Sequence, residues 1–312
     1  MICAYCGENK KSSREHIISS SVLDLFPECF VTIDEIRKNV YLTDPKIKDV
    51  CEKCNNERLS YIDTYAKELI SNYFLKKYGK EDILEFHYNY TLVQKMLLKY
   101  AFNDLRSQKE DISFFSKNAV NFLINKDKVE PLKNITVLAG LAVNTSPVPD
   151  YMFGNRKIRW GKNPALLSNS IVENIDYCTG QIKLRNENQI QKFNKMSFSY
   201  VFRFNSVQFL LICWENDISD DDLDINNIIL GYQYPYKILN NEGKQTLSRC
   251  TSESTYHNEM LIDVTWGQGI FDEITFMRNT YSDKNQEYLK RVEELWQKEE
   301  ENLAKSHPRT KK

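Results

Sequence analysis

CAYC at residues 3–6 and CEKC at residues 51–54 share one spacing, a pair of cysteines separated by two residues. A CxxC turn lets two thiolates converge on one metal ion, and two such turns complete a tetrahedral zinc site. The alternative is a redox-active dithiol, but such motifs usually act singly and open a helix after a strand. We therefore predict a closed, structural Zn²⁺ site that stabilises a small, loop-rich module. Its four ligands are Cys3, Cys6, Cys51 and Cys54.

The stretch SREHII at residues 13–18 lies between the two cysteine pairs. Four thiolates complete the zinc site, so His16 is not needed as a zinc ligand. Glu15 directly precedes the histidine, and Asn55 directly follows the last cysteine of the second pair. A carboxylate and an amide oxygen are suitable ligands for Mg²⁺, and an imidazole beside them can accept a proton from water. The alternative is a loop histidine that makes a single hydrogen bond.

The order CxxC, acidic residue–His, CxxC–Asn resembles the HNH endonucleases of the ββα-metal (His-Me finger) class, in particular those with a four-cysteine zinc site. The resemblance covers residues 1–60, about a fifth of the chain. It implies that Glu15 and Asn55 bind one catalytic Mg²⁺ or Mn²⁺ and that His16 is the general base. It also implies that this ion lies against the scissile phosphate of DNA, where it neutralises charge and stabilises the leaving 3′-oxygen.

The chain departs from the HNH pattern in the segment before the second cysteine pair. HNH enzymes usually carry an Asn there, which steadies the loop that bears the base, whereas this chain has DPKIKDVC at residues 44–51. We expect Asp44 or a backbone carbonyl to take its place. Arg58 lies one helical turn after Asn55 and is a candidate contact for a substrate phosphate. The alternative for Arg58 is a solvated helix residue.

The sequence predicts an α+β fold in three parts. The resemblance implies a zinc-braced ββα-metal (treble-clef-like) module at residues 1–75. Hydrophobic periodicity predicts a helical connector at 76–130 and a mixed α/β domain at 131–312, with a role in target recognition, sensing or oligomerisation. Helical patterns occur at 61–79, 92–105, 116–125 and 282–305, and strand patterns occur at 134–143, 175–184 and 197–214.

Composition limits the partners that the chain can have. The 312 residues carry a formal charge of −1, so DNA binding requires a local basic patch. No apolar run reaches the roughly 18 residues that a membrane span needs. The N-terminus also lacks the apolar core of a signal peptide. We therefore expect a cytoplasmic protein that binds double-stranded DNA and no membrane.

The expected function is that of a metal-dependent DNA endonuclease. A bacterial phage-defence effector is one role that fits a nuclease module joined to a large further region. In that role the C-terminal part restrains the nuclease until an activating ligand or partner protein arrives, and self-association into a homo-oligomer is a further option. The alternative is a non-catalytic zinc-finger module that binds nucleic acid or protein.

Overall fold

The computed structural model combines α-helices with short β-strands. It describes residues 1–26, 32–34, 39–41, 44–79, 81–142, 157–162, 172–176, 181–184, 193–230, 236–250 and 294. The helices are α1 (Ser20–Leu23), α2 (Ser60–Tyr73), α3 (Tyr90–Gln108), α4 (Lys117–Ile124) and α5 (Asp220–Leu230), and a π-helix (Cys54–Arg58) precedes α2. The strands are β1 (Ser12–His16), β2 (Thr32–Asp34), β3 (Asn39–Tyr41), β4 (Lys46–Cys51), β5 (Leu84–His87), β6 (Ile135–Leu141), β7 (Ile158–Lys162), β8 (Val172–Asp176), β9 (Gln181–Leu184), β10 (Met196–Phe204), β11 (Val207–Trp214), β12 (Lys237–Ile238) and β13 (Lys244–Leu247). No helix within these ranges is long and apolar enough to cross a membrane.

The first three predicted helices are confirmed as α2, α3 and α4, but α2 ends earlier than the sequence pattern predicts. It stops at Tyr73 because the next residue, Phe74, turns into the core and is fully buried. The carbonyl of Phe74 accepts hydrogen bonds from Asn205 Nδ2 at 2.6 Å and from Ser206 Oγ at 2.8 Å. These distant groups satisfy a carbonyl that the end of a helix would otherwise leave without a partner.

The predicted strands are also confirmed, and several of them form one antiparallel sheet. Its order is β12–β6–β11–β10–β7, and β10 and β11 form the predicted hairpin. β8 and β9 pair separately. β6 and β11 are buried along their whole length because α3 packs against one face of the sheet and α5 against the other. The helix predicted over 282–305 lies outside the described residues, apart from residue 294.

The N-terminal part contains two antiparallel strands, β1 and β4, followed by the π-helix and α2. Glu15 lies opposite Ile47 in this pair, and His16 lies opposite Lys46. Successive side chains of a strand point to opposite faces. Glu15 is therefore buried, whereas His16 shares the outer face with the exposed Lys46. The two strands thus separate the acidic residue and the histidine of the EH pair onto two faces.

α3 is the central helix of the fold and is buried along most of its length. The N-terminal part packs on one side of it, where the ring of Tyr5 lies edge-on to Phe102 at 5.2 Å between centroids. The five-stranded sheet packs on the other side, where Tyr100 contacts Phe202 at 6.3 Å. One continuous hydrophobic core therefore includes residues of all three predicted parts. The division into domains remains a prediction.

Lys95 and Asp104, two polar side chains on the buried surface of α3, are satisfied by partners from other elements. Lys95 donates from Nζ to two backbone carbonyls just after α4, at 2.9 and 2.7 Å. Asp104 accepts hydrogen bonds from Trp160 Nε1 at 3.0 Å and from Tyr200 at 3.1 Å. Burying a polar group costs free energy unless it is hydrogen-bonded, so these contacts fix how α3 lies between its neighbours.

The close packing of β6 against Cys250 can be tested at Gly140. A Cβ atom at Gly140 would lie 2.5 Å from Cys250 Cβ and 2.8 Å from its Sγ, which leaves no room for a methyl group. We predict that Gly140→Ala lowers the free energy of unfolding by about 1–3 kcal/mol, the usual cost of overpacking, as measured by urea denaturation. The matched control is Gly161→Ala in β7, where the nearest atom is Val201 Cγ1 at 3.9 Å. Equal stability of the two variants would contradict the packing described for β6.

Candidate functional site

The four cysteines of the CxxC pairs converge on one point. Their sulfur atoms all lie within 4.8 Å of one another, and the sulfurs of Cys6 and Cys51 are 3.8 Å apart. A tetrahedral site with Zn–S bonds of about 2.3 Å has sulfur–sulfur edges of about 3.8 Å. Within the described ranges, this is the one group of three or more His, Cys, Asp or Glu side chains close enough to hold a metal ion. The cysteines are thus positioned to bind a metal ion, and the geometry is compatible with structural zinc.

Local backbone geometry builds the cysteine cluster. Gly7 has a φ of +72° and donates its N–H to the carbonyl of Cys3 at 2.9 Å, which closes the first turn. The N–H of Cys51, at the end of β4, donates to the sulfur of Cys3 at 3.3 Å. Burial acts to raise the pKa of Cys3, but backbone N–H groups from Cys6, Cys51 and Tyr5 lower it to about 7. These N–H groups favour a thiolate at Cys3, which is the form that binds metal.

Glu15 lies in a buried cluster of charged side chains. Its Oε1 is 2.8 Å from Lys99 Nζ, and the same ammonium is 2.6 Å from Asp63 Oδ1. Lys99 is fully buried, and burial alone would lower its pKa; the carboxylates of Asp63 and Glu15 raise the pKa above its ordinary value instead. Burial raises the pKa of Glu15, while the charge of Lys99 opposes that shift. The lysine is therefore a permanent cation held between β1, α2 and α3.

His16 lies on the opposite face of β1, at the end of the strand. Its Nε2 is 3.7 Å from Asp44 Oδ2, and its side chain is 21% exposed. Burial and the neighbouring charge of Lys46 lower the pKa of His16, and the carboxylate of Asp44 acts in the opposite direction. The imidazole is therefore neutral at neutral pH and able to accept a proton. That Asp44 substitutes for the missing Asn stays a prediction.

Asn55 contacts the strand that carries Glu15 and His16. Its Nδ2 donates to Ser13 Oγ at 3.1 Å and to the carbonyl of Arg14 at 3.2 Å. No described group hydrogen-bonds its Oδ1, so that oxygen is available to a cation. The structure therefore joins Asn55 to β1 at Ser13 and Arg14. Arg58 lies in the same π-helix, is partly exposed and forms no ion pair with another described residue.

Two residues that the sequence analysis did not select lie next to the predicted site. Both Lys99 and Asn103 belong to α3, and Asn103 donates to the carbonyl of His16 at 2.9 Å and to Glu15 Oε1 at 3.4 Å. The signal available in the sequence is their spacing, because residues four apart share one face of a helix. Polar residues with this spacing on an otherwise apolar helix indicate a buried polar contact.

Comparison with known proteins gives no match. No protein-family model, curated protein or solved structure matches the chain.

The metal site can be tested by removing one sulfur. We predict that Cys51→Ser loses the bound zinc, from about one ion per chain to none, and that the N-terminal part unfolds because the loops around the cysteines depend on the metal. Zinc content by mass spectrometry and loss of protection in amide hydrogen exchange would measure this. The control is Cys213→Ala, which changes a buried thiol of β11 outside the cluster and leaves the zinc content unchanged. A Cys51→Ser protein that folds normally without zinc would contradict a structural metal.

Proposed function

We propose that the N-terminal part hydrolyses phosphodiester bonds of DNA in a metal-dependent reaction with His16 as the general base. The observation that supports this most directly is the environment of His16. A neutral, partly exposed imidazole lies at the end of β1, 3.7 Å from Asp44. The amide of Asn55 is bound to the carbonyl of Arg14, two residues before His16 on that strand. The motif in which these residues occur resembles that of HNH endonucleases.

The outer face of β1 and β4 suits a polyanionic substrate. Arg14, Lys46 and Lys48 alternate with buried residues along the two strands, so they share the face of His16. All three are exposed, and none forms an ion pair with another described residue. Phosphate contacts of this kind bind and orient a duplex without reading its sequence. They supply the local basic patch that a chain with a net charge of −1 needs, and Arg58 is a further candidate contact.

The residues of the site have separate roles in the proposed reaction. His16 takes a proton from water, and the resulting hydroxide attacks the phosphorus atom. The resemblance implies that Asn55 and Glu15 would hold the divalent ion. Asn55 Oδ1 accepts no hydrogen bond from a described residue, whereas Glu15 lies on the inner face of β1 and is ion-paired with Lys99. A bound Mg²⁺ or Mn²⁺ would neutralise the phosphate and stabilise the leaving 3′-oxygen. An amide and a carboxylate oxygen fit this donor set, with the remaining positions left to water and substrate.

A second candidate is a non-catalytic zinc module that binds nucleic acid. The observation in its favour is the ion pair between Glu15 and Lys99, because the lysine already neutralises the carboxylate that the metal would use. In this case the outer, basic face of β1 and β4 binds DNA, and no phosphodiester bond is broken. The two candidates differ in whether a product forms when Mg²⁺ is added.

The proposed function predicts a strong dependence of cleavage on His16. Supercoiled plasmid and Mg²⁺ are incubated with the wild type, with His16→Ala and with the control His87→Ala. His87 is more than half exposed and lies in β5. We expect His16→Ala to cleave about 100- to 10,000-fold more slowly, the usual contribution of a general base. His87→Ala should match the wild type.

The same assay gives the pH dependence of the base. Because the pKa of His16 lies below its ordinary value of about 6.5, the acidic limb of the cleavage rate should have its midpoint below that pH. Equal cleavage by the wild type and His16→Ala, or a midpoint above neutrality, would contradict the role of His16. No cleavage by the wild type, together with retained DNA binding, would favour the second candidate.

A further inference from the structure

Asn103 of α3 has every hydrogen-bonding position of its amide in use. Its Oδ1 accepts from the Tyr5 hydroxyl at 2.7 Å and from Arg106 Nη2 at 2.7 Å. Its Nδ2 donates to the carbonyl of His16 at 2.9 Å and to Glu15 Oε1 at 3.4 Å. Arg106 can only donate, so its contact with Oδ1 fixes which end of the amide faces β1. The side chain is fully buried, and such a satisfied network holds one orientation.

The contact with His16 lies at the end of β1. His16 is the last residue of the strand, and just beyond it the N–H of Ile17 still donates to the carbonyl of Pro45 at 3.1 Å. The segment before the second cysteine pair contains no Asn that could bind this backbone. Asn103 reaches it instead from a helix 87 positions further along the chain. The helix that carries Asn103 is fixed between the sheet and the N-terminal part, so it is a rigid support.

We infer that Asn103 is the positioning residue of His16: from α3, it fixes the end of β1 so that the imidazole keeps one orientation toward the outer face. This inference rests on the proposed function, since it concerns the geometry of the same base. Asn103 touches neither substrate nor water in this role and acts only through the backbone of His16 and the carboxylate of Glu15. Lys99 supports the same arrangement, because its ammonium keeps that carboxylate in place beside Asn103.

Two variants separate positioning from packing. Asn103→Ala removes the donor to His16, whereas Tyr5→Phe removes one hydrogen bond to the far side of the same amide and leaves the contact with His16 intact. Both are measured as zinc-bound full chains. If Asn103→Ala does not fold, Asn103→Asp replaces it, because Asp keeps the volume and the acceptor for Tyr5 and Arg106 but lacks the donor.

The first measurement does not depend on cleavage. The NMR resonance of the His16 Cε1–H group, identified by its loss in His16→Ala, is recorded without Mg²⁺ or DNA. We expect it to shift and broaden in the Asn103 variant and to stay at its wild-type position in Tyr5→Phe. An unchanged resonance in the Asn103 variant, or an equal change in both variants, would overturn the positioning role.

The second measurement is plasmid cleavage with Mg²⁺. We expect kcat to fall by about 100-fold in the Asn103 variant with KM nearly unchanged, because a misplaced base slows the chemical step without weakening phosphate binding. Tyr5→Phe should keep the wild-type kcat. A higher KM with an unchanged kcat would overturn the inference. If the wild type itself does not cleave DNA, the proposed function fails, and the NMR measurement still decides whether Asn103 orients His16.

Discussion

The arrangement of the N-terminal part depends on the ion pairs that the buried ammonium of Lys99 forms with two carboxylates. This ammonium joins α3 to Glu15 of β1 and to Asp63 of α2, at 2.8 and 2.6 Å. Removing a charge from water costs several kcal/mol, and the attraction of two carboxylates offsets that cost only in a precise geometry. A buried group of charges of this kind contributes little net stability compared with an apolar replacement. Its consequence is a unique arrangement of two helices and one strand.

Two anchors therefore hold β1. The cysteine cluster fixes the turn before β1 and the end of its partner strand β4, and α3 fixes the end of β1 that carries His16. Between these anchors, strand alternation sends Glu15 inward to Lys99 and His16 outward to the basic face. The histidine is thus held by buried contacts while its ring remains partly exposed. The proposed role as a general base needs both properties, a fixed position and access to water.

Local patterns in the sequence account for part of this arrangement. The spacing of CxxC predicts the cysteine cluster because two residues between cysteines bring their sulfurs together whatever follows. Hydrophobic periodicity likewise predicts α3 and the β10–β11 hairpin. The contact of Asn103 with β1 is not predictable in this way, because Asn103 lies 88 positions from Glu15 and nothing local indicates that the two meet. The early end of α2 has the same cause, since its cap comes from Asn205, 131 positions away.

A double-mutant cycle of Glu15→Gln and Lys99→Met tests the central interaction most directly. The free energy of unfolding of the zinc-bound chain is measured by urea denaturation for the wild type, both single variants and the double variant. We predict that Lys99→Met loses about 3 kcal/mol or more, because two largely buried carboxylates are left without their cation, and that Glu15→Gln loses less, because Asp63 still pairs with Lys99. The double variant should lose about 1–3 kcal/mol less than the sum of the two. Losses that simply add would show that Glu15 and Lys99 are not coupled, and would contradict the account of how His16 is held.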